Sequence, residues 1–112
     1  MQVQNWDRCE PMTEAAIRAT HIPPDHFRIS KSEFEMNTCF SGSTRTGRCY
    51  VLEGSCIYRF EKNEVEIRAG QFADLVGGRY NFEVLGDTGV SIIKVWNLSE
   101  FFKKHNQNSG HP

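Results

Sequence analysis

The sequence predicts an all-β domain, a sandwich or barrel of short strands, and three observations carry that expectation. No proline occurs from Asp25 to His111, β-branched and aromatic residues gather in eight short runs, and Gly, Ser, Asn and Asp separate those runs. The length of 112 residues suits one ordinary domain with a single core.

Residues 1-24 differ in texture and read as an N-terminal arm ahead of a barrel over 25-98. Thr13 before Glu14-Ala15-Ala16-Ile17-Arg18-Ala19 is a hydroxyl cap on one or two helical turns, and Pro23-Pro24 forbid any continuation. Strands are expected near 27-30, 33-40, 47-52, 55-60, 64-68, 72-76, 80-85 and 90-97. In the second of these, Phe34, Met36 and Phe40 alternate onto one apolar face. The run Val90-Ser91-Ile92-Ile93-Lys94-Val95-Trp96 is apolar nearly throughout, which suits a central strand covered on both sides. After Leu98, Ser99-Glu100-Phe101-Phe102-Lys103-Lys104 suggests one helical turn, and the polar end of the tail over 99-112 suggests disorder.

Charge narrows the function classes. The 14 acidic and 13 basic residues nearly cancel and the basic ones are scattered, so nucleic acid is not an expected partner. The apolar runs are too short to span a bilayer, and MQVQNW lacks the layout of a secretion signal. The expectation is a soluble, cytoplasmic protein with no membrane partner.

Four cysteines, Cys9, Cys39, Cys49 and Cys56, are too widely spaced for the close pairs of structural zinc sites and read as reduced thiols. The stretch CYVLEGSCIYRF folds back around Glu53-Gly54. A tight turn there pairs Leu52 with Ser55, Val51 with Cys56, Cys49 with Tyr58 and Arg48 with Arg59. Alternation then sends Gly47, Cys49, Val51, Cys56, Tyr58 and Phe60 inward, with the two thiols too far apart for a disulfide. Arg48 and Arg59 would face each other as like charges, eased by solvent, an acidic side chain or an anionic group.

YVLEG, the following hairpin, Arg68-Ala69-Gly70-Gln71 and Gly77-Gly78 together resemble the β-barrel of the cupin superfamily over about 28-98, and more narrowly the small single-domain cupins related to ethanolamine-utilisation cupins. The resemblance implies a jelly-roll barrel with a short N-terminal arm or helix. It also implies a first motif with two histidines and a glutamate, and a second motif with a third histidine. Here the glutamate position falls on Gly47, the first histidines fall within Phe40-Ser41-Gly42-Ser43, and the last falls on Asn81. All four ligands are absent, so no metal and no cofactor is expected. A cryptic site from Cys49, Cys56, Asp74 and Glu83 is the remaining alternative.

If Asn81 faces inward, so does Glu83, and the barrel gains a carboxylate and an amide opposite Tyr58 and two thiols. If a bulge near Gly77-Gly78 switches the faces, Tyr80, Phe82 and Val84 form the core instead. The first arrangement gives Ser41, Ser43, Cys49, Cys56, Asp74, Arg79 and Asn81 as ligand-binding residues, with Glu83 as base and Tyr58 as acid if a reaction occurs. The expected function is metal-independent binding of a small polar or aromatic metabolite inside the barrel, as sensor, carrier or accessory subunit. A metal-independent isomerase or lyase is the alternative. A homodimer is expected, because Trp6, Met12 and Ile17 in the arm need cover.

Overall fold

The computed structural model describes residues 1–98. The turn and tail expected after Leu98 lie outside the described residues. Two antiparallel sheets face each other as an all-β jelly roll. The strands are β1 (Val3–Asn5), β2 (Phe27–Phe34), β3 (Cys39–Thr44), β4 (Gly47–Glu53), β5 (Ser55–Phe60), β6 (Glu64–Arg68), β7 (Gln71–Leu75), β8 (Gly78–Leu85) and β9 (Val90–Asn97). One sheet runs β1-β7-β4-β9-β2 and the other β3-β8-β5-β6.

The arm contributes β1, paired with β7, and a helix α1 (Glu14–Thr20). Thr13 caps α1 by accepting the Ala16 amide at 3.1 Å, which satisfies one of the orphan donors of the first turn. The helix ends before Ile22, and a short 3-10 turn over Pro24–His26 leads into β2. On the outer face of the five-stranded sheet Ile17 packs with Tyr50, Ile93 and Val95, flanked by Trp6, Met12, Phe27 and Ile29. The cover that these apolar arm residues need comes from the chain's own sheet. As expected, β9 is central and covered twice, between the arm and the opposite sheet.

Two expectations about local pairing are corrected. The stretch 33-40 is not one strand: β2 ends at Phe34, a turn with Asn37 at φ 65° follows, and β3 starts at Cys39. Phe34 and Phe40 nevertheless meet, their rings 5.3 Å apart, whereas Met36 is exposed in the turn. Nor is CYVLEGSCIYRF a hairpin. β4 pairs with β7 and β9, while β5 pairs with β6 and β8, so Glu53-Gly54 is a corner at which the chain leaves one sheet for the other.

That corner is tied to a second one. The Ala69 amide donates to the Gly54 carbonyl at 3.0 Å, and the Gly70 amide donates to the Val51 carbonyl at 3.0 Å. Gly54 has φ +76°, and a Cβ there would strike the Gly89 carbonyl, so only glycine fits. The inward face was nonetheless read correctly, because alternation does not depend on which strand is the neighbour. Cys49, Val51, Cys56 and Tyr58 all lie in the core between the sheets.

Candidate functional site

Register shows which side chains enter the space between the sheets, because directly paired residues share a face. On β9 these are Val90, Ile92, Lys94 and Trp96, and their partners on β2 are Phe34, Ser32, Ser30 and Arg28. The apolar residues of that end of β2, Phe27 and Ile29, face the arm instead. The strand therefore turns a polar file, Arg28-Ser30-Ser32, toward the barrel interior. From the opposite sheet β3 sends Phe40, Gly42 and Thr44 inward, and β8 sends Tyr80 and Phe82.

At the centre Lys94, partly buried, holds its ammonium 5.2 Å from the ring of Tyr58 and 5.0 Å from that of Tyr80. Its Nζ donates to the Tyr80 hydroxyl at 3.4 Å. The ring faces stabilise the cation through their quadrupoles. Below it the Cys49 thiol and the Tyr58 hydroxyl share a hydrogen bond of 3.5 Å. Burial is the main cause that pushes the Cys49 thiol up to about 11, against smaller opposing effects of that bond and of Lys94. Burial likewise raises Cys56 and Tyr58, so all three groups are neutral and poorly suited to nucleophilic or proton-transfer work near pH 7.

Toward the end of the barrel, Trp96 Nε1 donates to Thr44 Oγ1 at 3.5 Å and the Arg28 guanidinium lies 5.8 Å from the indole. A recess of about 280 Å³ opens there, lined by Arg28, Ser43, Thr44, Arg45, Trp96 and Leu98. A wider groove of about 950 Å³ lies at the other end of the same strands, with Glu33, Glu35 and Glu53 on its walls. Phe34 reaches it from a cluster with Phe40 and Phe82, but no lysine or arginine is among the described residues that line it.

The residues expected to line the site are only partly brought together. Cys49, Cys56 and Tyr58 face the interior, and Ser43 lies on the rim of the recess. Asn81 and Glu83 face outward, which corrects the inward placement. Glu83 accepts from Arg59 at 2.8 Å and Asn81 accepts from Ser41 at 2.6 Å, both on the solvent side of the four-stranded sheet. The reason is alternation from Tyr80, Phe82 and Val84, which fill the core. Glu83 and Tyr58 thus point to opposite faces of one sheet and do not form an acid–base pair.

Arg79, opposite Ser43 on β8, is exposed. Asp74 is exposed on the five-stranded sheet and binds Arg48 through two contacts of 2.7 and 3.2 Å. The like charges Arg48 and Arg59 do not meet, since they lie in different sheets, each with its own carboxylate.

The metal-ligand positions implied by the resemblance can be tested against this geometry. A Cβ on Gly47 would stand 2.9 Å from the Trp96 indole, and one on Gly42 would stand 2.9 Å from the Tyr80 hydroxyl. Trp96 and Tyr80 therefore occupy the space that ligand side chains at those positions would need. The inward residue of the second motif is Tyr80, not Asn81. Among the described residues no three or more His, Cys, Asp or Glu side chains converge. A lysine, two phenols and two thiols held neutral do not fit a resident transition metal, which needs several deprotonated or imidazole donors at one point.

Lys94, Trp96, Arg28, Ser30 and Ser32 were not singled out in the sequence. Their signal was present: Arg28-Ile29-Ser30-Lys31-Ser32 alternates with its small polar residues opposite the apolar set, and Lys94 interrupts an otherwise apolar central strand. Among the described residues no helix is long and apolar enough to cross a membrane.

No protein-family model matches the chain, and no curated protein does. Solved structures do. A Salmonella typhimurium protein assigned to ethanolamine utilization is 21% identical with a TM-score of 0.52, over 62% of this chain and 56% of that one. The chain thus spans little more than half the length of that protein. The cupin-2 domain of an XRE family transcriptional regulator from Enterobacter cloacae is 8% identical with a TM-score of 0.55, over 62% of this chain and 79% of that one. A cupin-2 domain protein from Shewanella frigidimarina is 12% identical with a TM-score of 0.51, over 84% of this chain and 82% of that one. At such identities it is the fold that is shared: the chain has the β-barrel fold seen in these cupin-2 domain structures.

Proposed function

We propose that this chain is a metal-independent cupin that binds a small polar or aromatic metabolite at the barrel mouth, as a cytoplasmic sensor, carrier or accessory subunit. One observation carries the reading: a lysine ammonium sits inside the barrel among aromatic faces, and two positions on along the same face of β9 Trp96 walls a recess with Thr44 and Arg28. Its walls combine the apolar Trp96 and Leu98 with four polar side chains, Arg28, Ser43, Thr44 and Arg45, which suits a ligand that carries polar groups of its own. The recess, at about 280 Å³, suits a small ligand. The cupin-2 domain found in a transcriptional regulator supports the sensor variant by analogy of fold alone.

The isomerase or lyase alternative, built on Glu83 with Tyr58, loses its geometric basis because the two groups face opposite ways. A homodimer belongs to the proposal as its expected assembly through the edge strands β2 and β3. Equilibrium sedimentation checks it, with a monomer at tens of micromolar as the contrary result. The binding itself is tested by a thermal-shift screen against a metabolite library with and without a chelator, because a ligand that binds only the native state raises its stability by mass action. A chelator-insensitive hit that Trp96→Ala removes supports the reading, and hits that appear only with added divalent metal contradict it.

A further inference from the structure

We infer that Lys94 is a built-in cation of the barrel and that the metabolite taken at the mouth is a small carboxylate, its charge held by Lys94 and its flat body laid against Trp96. The inference deepens the reading of the mouth as a ligand site and rests on it.

The charge pattern selects the class. Lys94 is a point charge on a flexible stem, with three donors, of which the Tyr80 hydroxyl takes one at 3.4 Å. Among the described residues no carboxylate forms an ion pair with it. Its paired neighbour across the ladder is Ser30, with Ser32 and Arg28 on the same inward face of β2. An ammonium with hydroxyls beside it matches one negative charge, and the Arg28 guanidinium at the rim adds a second cation that favours entry of an anion.

Cys49, Cys56 and Tyr58 are held neutral by burial and place no competing anion in the interior. The carboxylates of Asp74 and Glu83 are turned to the outer faces and paired with Arg48 and Arg59. The barrel thus keeps a cation inside and its acids outside.

The walls select the shape. The Tyr58 and Tyr80 rings that face the Lys94 ammonium are 5.2 Å apart, Phe60 meets Tyr80 at 5.8 Å, and Trp96 follows Lys94 two positions on along the same inward face of β9. The glycines at 42 and 47 let these rings close in. A planar acid would exchange water for stacking on one side while its carboxylate meets the ammonium, and a charge-assisted bond of this kind is stronger in so poorly hydrated a setting than in water.

The test uses the full chain with 13C-labelled lysine and 15N-labelled tryptophan, titrated with benzoate and, separately, with benzamide of the same shape and no charge. The Lys94 signal is assigned by its loss in Lys94→Arg. The expected result is saturable movement of the Lys94 side-chain and Trp96 indole signals with benzoate, and at least tenfold weaker movement with benzamide. Lys94→Met should weaken the benzoate response of Trp96 at least tenfold, whereas Lys94→Arg retains most of it.

Equal response to both probes overturns the carboxylate class and leaves the mouth as a ligand site. Response to neither overturns the class and the reading it rests on. The comparison of the two probes is made on the unaltered chain, so the outcome stands even if Lys94→Met does not fold.

Discussion

Tyr80 places its hydroxyl 2.9 Å from where a side chain on Gly42 would begin, and the Trp96 indole stands at the same distance from the corresponding point on Gly47. The resemblance implies ligand side chains at Gly47 and within residues 40-43, and at Gly42 and Gly47 aromatic rings fill the room that such side chains would need. Gly42→Ala and Gly47→Ala should each cost about 1–3 kcal/mol by overpacking, read as a lower midpoint in urea without a change in slope. A neutral effect at both positions would show that the rings yield freely.

The apolar contact under the arm should contribute more to stability than the exposed ion pair between β4 and β7. Ile17 is fully buried against the sheet, so Ile17→Ala should cost about 2–5 kcal/mol. The Arg48–Asp74 pair is short, and the hydrogen bond that Arg48 donates to Asp74 is the main cause that raises the Arg48 pKa. The Asp74 side chain is 61% exposed, however, so solvent screening limits Asp74→Asn to less than about 1 kcal/mol. Urea denaturation of both variants checks the order, and the reverse order would place the polar network first.

Thiol reactivity should divide by burial. Cys9 and Cys39 are exposed, whereas Cys49 and Cys56 are buried. At pH 7.5 a maleimide or iodoacetamide should label two cysteines of the native chain quickly and all four only after unfolding, as counted by mass spectrometry. Rapid native labelling of Cys49 would mean that the interior opens readily.

Burial of that thiol also fixes the sign of alkaline stability. The unfolded Cys49 loses its proton near 9.0, and the folded one only near about 11. Between these values the unfolded state binds fewer protons, so stability is full below about pH 9 and falls as pH rises toward 11. The slope is about 1.4 kcal/mol per pH unit for one such group, and Cys56 and Tyr58 act in the same direction. Denaturation at pH 8, 9 and 10 checks this, with a flat profile as the contrary result.

At the acid side the group to watch is His21. Its ring shares hydrogen bonds with Tyr50 at 3.3 Å and Thr20 at 3.3 Å and stacks on Phe27. Burial, and then the nearby Arg48 charge, lower its pKa from 6.5. A depressed folded value gives stability that is full above the unfolded pKa and is lost as pH falls below about 6.5 through the folded one. Since His21 joins the arm to the barrel, hydrogen-exchange protection in α1, taken relative to the intrinsic exchange rate at each pH, should fall below that pH, and His21→Gln should flatten the dependence. Protection that falls equally in β5 and β8 would instead mean global acid loosening.

The fold was legible because alternation and breaker residues are local. The capped helix at Thr13, the twice-covered β9 and the inward set Cys49, Val51, Cys56 and Tyr58 each follow from a few neighbouring residues. Pairing was not legible. Glu53-Gly54 has the composition of a tight hairpin, yet the Gly54 and Val51 carbonyls accept from the amides of Ala69 and Gly70, far along the chain, and the chain crosses between sheets. The site was misplaced for a related reason. The facing of Asn81 and Glu83 depends on a one-residue choice of phase, which the apolar Tyr80, Phe82 and Val84 decide by filling the core. Lys94 is not legible as a site residue from sequence, because a single charge in an apolar strand looks like an edge position until register puts it between Tyr58 and Tyr80.

The account stands or falls on what occupies the barrel in place of an ion. Equilibrium dialysis of the full chain against micromolar iron, manganese and zinc in turn, followed by elemental analysis, measures this directly. The account predicts well under one metal per chain at every step and the same melting temperature with and without chelator, whereas one tightly held equivalent that a chelator removes with loss of stability would contradict it.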